Sequence, residues 1–116
     1  MDAARLRRNG DIAAVRKANV AVQHRLFALR ARANDLGVTR LAVSAPRSLG
    51  TAVVRNRVRR RLREAFRIVV KDRRAATGHD ILVTARGDVV AAPPAALREA
   101  AAAALAALGS REAVAP

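Results

Sequence analysis

The chain has no cysteine, tryptophan or tyrosine, and its only aromatic residues are Phe27 and Phe66. Without thiols there is neither a disulfide nor a thiolate metal site, and the absence fits a reducing compartment. The two histidines, His24 and His79, are far apart and lack a helix-spaced partner, which argues against zinc. Acids are scarce: nine against 23 basic residues. Asp11, Asp35, Asp72, Asp80 and Asp88 fall at expected turns or helix ends and read as caps, while Glu64 reads as local charge balance. No group of carboxylates has the spacing to hold catalytic metal ions, and no Gly-Lys-Ser/Thr follows Gly50, so catalytic and metal residues are both expected to be none. Long apolar runs are missing too. Behind Arg5, Arg7 and Arg8 there is no signal-like segment, and the alanine-rich stretch 97–108 would span only about 18 Å as a helix. The expectation is a cytoplasmic protein that does not use a membrane.

What is present is positive charge. Net charge is +14 and the pI about 12.0, so the natural partner is a polyanion. Lys17 and Lys71 are the only lysines, and a preference for arginine suits bidentate phosphate contacts. The 116 residues make one domain, expected to be ordered over about 5–109 with a tail at 110–116. Alanine inflates the 52% hydrophobic content, so the core rests on leucine, valine, isoleucine and the two phenylalanines.

The centre of the chain is residues 51–70. Val54, Val58, Leu62, Ala65, Phe66 and Val69 recur at helical spacing on one stripe. At about 100° per residue the opposite side collects Asn56, Arg59, Arg60, Arg63 and Arg67, with Arg55, Arg57 and Arg61 along the flanks. Such crowding of like charge costs the free protein stability unless something negative lies against it. Thr51 is placed to cap this helix, and Gly50 lets the chain turn into it.

Around that helix the pattern predicts a short helix over 10–17, capped by Asn9 or Asp11. Alternating strands follow over 20–24, 26–32 and 40–45, with a turn at 34–37. A second turn is expected at 77–80, then a nearly continuous apolar strand over 81–85, of the kind covered on both faces. Pro93-Pro94 opens a last helix with Leu97, Ala101, Leu105 and Leu108 on one face, ended by Gly109. The order α-β-β-β-α-β-α gives an α+β two-layer sandwich around one small mixed sheet.

The run 44–50, then Ala52-Val53-Val54-Arg55-Asn56-Arg57-Val58-Arg59-Arg60, then Arg63-Glu64-Ala65-Phe66-Arg67, resembles the signature of the bacterial ribonuclease P protein component. Its RNR motif is matched by Arg55, Asn56 and Arg57, and the likeness extends from about residue 5 to the last helix. The resemblance implies parallel third and fourth strands joined by a left-handed βαβ crossover through the arginine-rich helix, against the usual right-handed statistics. It implies a protein subunit that binds the catalytic RNA through Arg55, Asn56, Arg57, Arg59, Arg60, Arg63 and Arg67. It also implies a cleft for the single-stranded 5′ leader of precursor tRNA, with Ile12, Arg16, Phe27 and Arg30 lining or bordering it. Cleavage would leave a 5′ phosphate on the tRNA, with Mg²⁺ held mainly by the RNA subunit and no protein partner implied. Ile12, Arg16 and Arg30 stand where the family usually has aromatic residues, and guanidinium planes can stack on bases in their place. Pro46 and Ser48 replace a common serine and lysine, leaving Arg47 as that loop's one cation, and His79 replaces a usual tyrosine.

Composition alone allows a structural, ribosomal-type RNA-binding protein equally well. A self-sufficient nuclease lacks its carboxylates. A membrane-surface helix would need the apolar stripe that the core requires.

Overall fold

The computed structural model describes residues 4–17, 20–34, 36–73 and 78–114. Its elements are β1 (Ala4–Arg5), α1 (Asn9–Arg16), β2 (Val20–Gln23), β3 (Phe27–Ala33), β4 (Arg40–Ser44), α2 (Ala52–Arg73), β5 (His79–Ala85) and α3 (Pro94–Val114). Short 3-10 turns at Arg47–Leu49 and Gly87–Ala91 lead into α2 and α3. The strands form one mixed sheet in the order β1-β4-β5-β3-β2. β1, β4 and β5 run parallel, and β3 lies antiparallel to both β5 and β2. β4 and β5 are therefore neighbouring parallel strands connected through α2.

Alternation along the strands sorts their side chains between two cores. Leu29, Leu41, Ile81 and Val83 point to one face, where Val58, Leu62, Phe66 and Val69 of α2 meet Leu97, Ala101 and Ala104 of α3. Ala42 and Leu82 point to the other face and pack with Leu6 and with Val15 of α1. The α+β class holds, with α1 adding a partial third layer to the two expected. Because both of its faces are covered, β5 tolerates an unbroken apolar run.

The start of α2 follows from local chemistry. The Val54 amide donates to Thr51 Oγ1 at 3.3 Å, and Gly50 sits at φ 136°, a region that side-chain-bearing residues avoid. At the other turn, Asn34 Oδ1 accepts from the Leu36 amide at 3.0 Å while its Nδ2 donates to the Val38 carbonyl at 3.1 Å. A Cβ on Gly78 would lie 2.2 Å from Asn34 Oδ1, so glycine is required there by close approach.

Several local expectations are corrected. His79 and Asp80 are not turn residues but open β5, paired with Ala33 and Arg32 of β3; Thr77, the first residue of that expected turn, lies outside the described residues. α3 does not stop at Gly109, because one glycine costs about 1 kcal/mol against a run of strong helix formers. No side chain caps α1 at Arg8, and Asp11 is engaged with the sheet instead. The two-residue β1 is too short to leave a pattern in the sequence. Among the described residues no helix is long and apolar enough to cross a membrane.

Phe27 and Phe66 are both fully buried and meet edge-on at 5.3 Å between β3 and α2. Phe66→Ala should cost about 3–5 kcal/mol in urea unfolding, as for other large core truncations. A loss under about 1 kcal/mol would show that α2 is not held by this stripe.

Candidate nucleic-acid interface

Burial of one stripe of α2 aims its arginines in three directions. Asn56, Arg57 and Arg60 are exposed on the outer side. Arg59 is half-buried and donates to Asn56 Oδ1 at 2.7 Å, so the asparagine orients the guanidinium one turn further on. Arg55 is half-buried at the helix start, its Nε enclosed without a hydrogen-bond partner. Arg63 leans over the sheet edge and donates to the Leu41 carbonyl at 3.4 Å. Burial first, then the positive charges of Arg5 and Arg7, lowers the pKa of Arg63 from its ordinary value. These three guanidiniums thus share one region, a cationic cluster suited to phosphate.

Two arginines of α2 serve the fold. Arg61 reaches the Val89 and Val90 carbonyls at 3.4 Å and also donates to the Ala92 carbonyl, capping the turn that leads into α3. Arg67 grips Glu64 through hydrogen bonds of 2.7 and 3.1 Å, which hold the Glu64 carboxyl below its usual pKa.

Across the sheet, α1 lies over β3 and β5. Beneath it is a row of charges in register: Arg32, Asp80 and Arg40 sit side by side on β3, β5 and β4. Asp80 is fully buried and accepts from Arg40 at 2.7 and 2.8 Å, Asn34 at 2.8 Å and Arg32 at 3.2 Å. Asp11 of α1 closes the row with 3.3 Å ion pairs to Arg32 and Arg40, tying the helix to the sheet. Two acids against two arginines leave this row neutral. The next row contains Arg30, Leu82 and Ala42, and beyond it Gln23, Ala28, Thr84 and Ser44 make a floor of small and polar side chains. Arg30 is exposed on this face, Arg16 is exposed at the last turn of α1, and Arg86 donates to Gln23 at the rim.

The family model described as Ribonuclease P matches residues 1–109. The chain belongs to the ribonuclease P protein family. The ribonuclease P protein component of Clostridium kluyveri is 34% identical over 86 residues, covering 74% of this chain and 77% of that one. That of Staphylococcus epidermidis is 38% identical over 83 residues, covering 71% and 70%. The solved ribonuclease P protein of Staphylococcus aureus superposes with a TM-score of 0.75 at 27% identity, covering 90% of this chain and 94% of that one. The Thermotoga maritima protein does so with 0.73 at 28%, covering 92% and 96%.

Against the family's expected sites, the structure brings Asn56, Arg57, Arg59, Arg60 and Arg63 onto one continuous surface, with Arg55 and Arg67 at its margins. Ile12, Arg16 and Arg30 all belong to the α1 side of the sheet, Ile12 being half-buried against Leu6, Val15, Ala42 and Leu82. Phe27 does not join them. Strand alternation turns it to the opposite face, where it is fully buried between His24, stacked at 5.1 Å, and Phe66. Asp80 and Asp11 are not caps but the centre of an ion network, which only the cross-strand register reveals. Arg5 and Arg7 were not expected at the interface, and their charge so near the chain start was the one available signal.

No group of three metal-ligating side chains exists among the described residues. The neighbouring acids Asp11 and Asp80 are both occupied by arginines, so these residues do not fit a protein-held Mg²⁺.

Burial pushes the Asp80 carboxyl up, but hydrogen bonds from Arg40, Asn34 and Arg32 and the charge of Arg40 outweigh it, so its pKa lies below the ordinary value. A depressed carboxylate stabilises the fold fully above its unfolded pKa of about 3.9 and loses that contribution as pH falls through the folded value. Asp80→Asn should cost about 1–3 kcal/mol at neutral pH, because it removes the carboxylate that accepts from the half-buried Arg40 and Arg32, and should flatten the acid limb of the stability curve. An unchanged limb would place the acid sensitivity elsewhere. Asp11→Asn should speed amide exchange in α1 at least about tenfold, a loss of roughly 1.4 kcal/mol of local stability, while β5 exchange stays as it was; equal protection of α1 in both proteins would show that the ion pairs do not hold it.

Proposed function

We propose that this chain is the protein subunit of a ribonuclease P, binding the catalytic RNA with the arginine face of α2 and the 5′ leader of precursor tRNA in the cleft beneath α1. The observation that carries the reading is the convergence of Asn56, Arg57, Arg59, Arg60 and Arg63 on the outer side of a helix whose other side is fully committed to the core. The protein then has no chemical step of its own. Water is added across the phosphodiester at the leader junction in an active site made by RNA, which holds the Mg²⁺, leaving a 5′ phosphate on the tRNA.

What the protein supplies is electrostatic. Two polyanions must approach closely for cleavage, and a subunit of net charge +14 placed between them reduces their repulsion. The cleft adds selectivity for an unpaired strand. Its floor of Ala28, Thr84 and Ser44 is flat enough for a backbone to lie close, and Arg16 and Arg30 can pair with phosphates or stack on bases. The neutral Arg32–Asp80–Arg40–Asp11 end gives a phosphate no net attraction, so the leader runs over the Arg30 end. Family membership favours this reading over a ribosomal-type RNA-binding protein.

Assembly with ribonuclease P RNA tests it. Arg57→Ala combined with Arg59→Ala should weaken RNA binding about tenfold or more and make the salt dependence shallower, with an unaltered thermal melt. Holoenzyme formation at wild-type affinity by that variant would refute the assignment of the arginine face. In the cleft, Arg30→Ala should reduce the holoenzyme's preference for precursor over mature tRNA without changing its affinity for the catalytic RNA. An unchanged preference would remove Arg30 from leader binding.

A further inference from the structure

A groove of about 370 Å³ opens between α2 and α3, across the sheet from the leader cleft. Its floor is apolar, formed by buried Ala65 and Leu97 and half-buried Ile68, with Pro94 at one end. Its mouth carries Arg60, Arg61 and Arg98, and Glu64 is its single acid. Glu64 is neutralised by Arg67, and Arg61 is committed to the carbonyls of the turn before α3. Arg60 and Arg98 remain, both exposed and neither making a hydrogen bond or ion pair among the described residues. An apolar slot with two cations at its mouth fits an amphipathic anion: a flat ring that leaves water, attached to a phosphate that does not.

We propose that this groove receives one unpaired nucleotide of the ribonuclease P RNA, its base against Ile68, Leu97 and Pro94 and its phosphate between Arg60 and Arg98. The proposal rests on the ribonuclease P reading of the arginine face and extends that face to α3. Two features select RNA as the occupant. The mouth has the charge that complements phosphate, and it is continuous with the interface already described, since Arg60 belongs to both and Arg57 lies one turn before it. A paired stem keeps its bases stacked inside the helix and cannot fill an apolar slot, so the nucleotide must come from a loop or bulge. The contact would anchor α3, which the arginines of α2 alone do not reach.

The lack of cysteine makes the test direct. Ala95→Cys places a single thiol on the exposed side of α3 beside Pro94, and Arg57→Cys places one on the arginine face. Each is labelled with a photoreactive aryl azide, assembled with ribonuclease P RNA and irradiated. The groove predicts that position 95 crosslinks to one short unpaired segment, distinct from the sites reached from position 57. Crosslinks from 95 only to paired stems or to a second protein copy overturn the proposal, as does no crosslink while position 57 reacts. If neither position reacts, the ribonuclease P reading of the arginine face falls and the groove proposal falls with it. As a second measurement, Arg98→Ala should make the slope of log affinity against log salt shallower by about 0.7–0.9, the value for one phosphate contact, and Arg98→Lys should restore it. An unchanged slope in Arg98→Ala would likewise overturn the proposed phosphate contact.

Discussion

A single helix is asked to satisfy two opposed demands. One side of α2 supplies Val58, Leu62, Phe66 and Val69 to the core it shares with the sheet and α3, and it cannot rotate without opening that core. The rest of its circumference carries seven arginines between Arg55 and Arg67, whose mutual repulsion is relieved only in part by Glu64 and by the carbonyls that Arg61 caps. Packing therefore fixes the direction of the charges, and the charges require an anion. Specificity of placement comes from the hydrophobic side, and affinity from the other.

The second constraint is the buried carboxylate of Asp80. Two arginines and an asparagine converge on it from neighbouring strands, and Asp11 extends the network to α1. Fold and site meet here, because the same ion pairs that join β3, β4 and β5 hold α1 against the sheet. With that row neutral, the positive charge on this side of the sheet comes from Arg16 and Arg30.

Much of this was legible in the sequence, and the exceptions share a cause. The stripe of α2, the cap at Thr51 and the apolar run of β5 are local or periodic signals, readable in a window of a few residues. Asp80 looked like a turn residue because it follows Gly78 and His79, whereas its role is set by Arg32 and Arg40, 48 and 40 positions away along the chain. For Phe27 the scarcity of large apolar residues points to the core and the family resemblance to the leader cleft; strand phase decides between them, and the register with β5 turns it inward. Spacing places Arg61 on a flank of α2 with Arg55 and Arg57, and only its approach to the turn before α3 gives it a structural role.

On the proposed reading, the arginine face serves an RNA enzyme by screening charge. The most direct measurement is cleavage of precursor tRNA by ribonuclease P RNA at low Mg²⁺, with and without this protein, beside a reaction containing the protein alone. Charge screening by the protein predicts strong stimulation of the RNA, fading as Mg²⁺ is raised and supplies the screening itself, and no cleavage by the protein alone. Tight RNA binding without stimulation, or cleavage by the protein in the absence of RNA subunit, would contradict it.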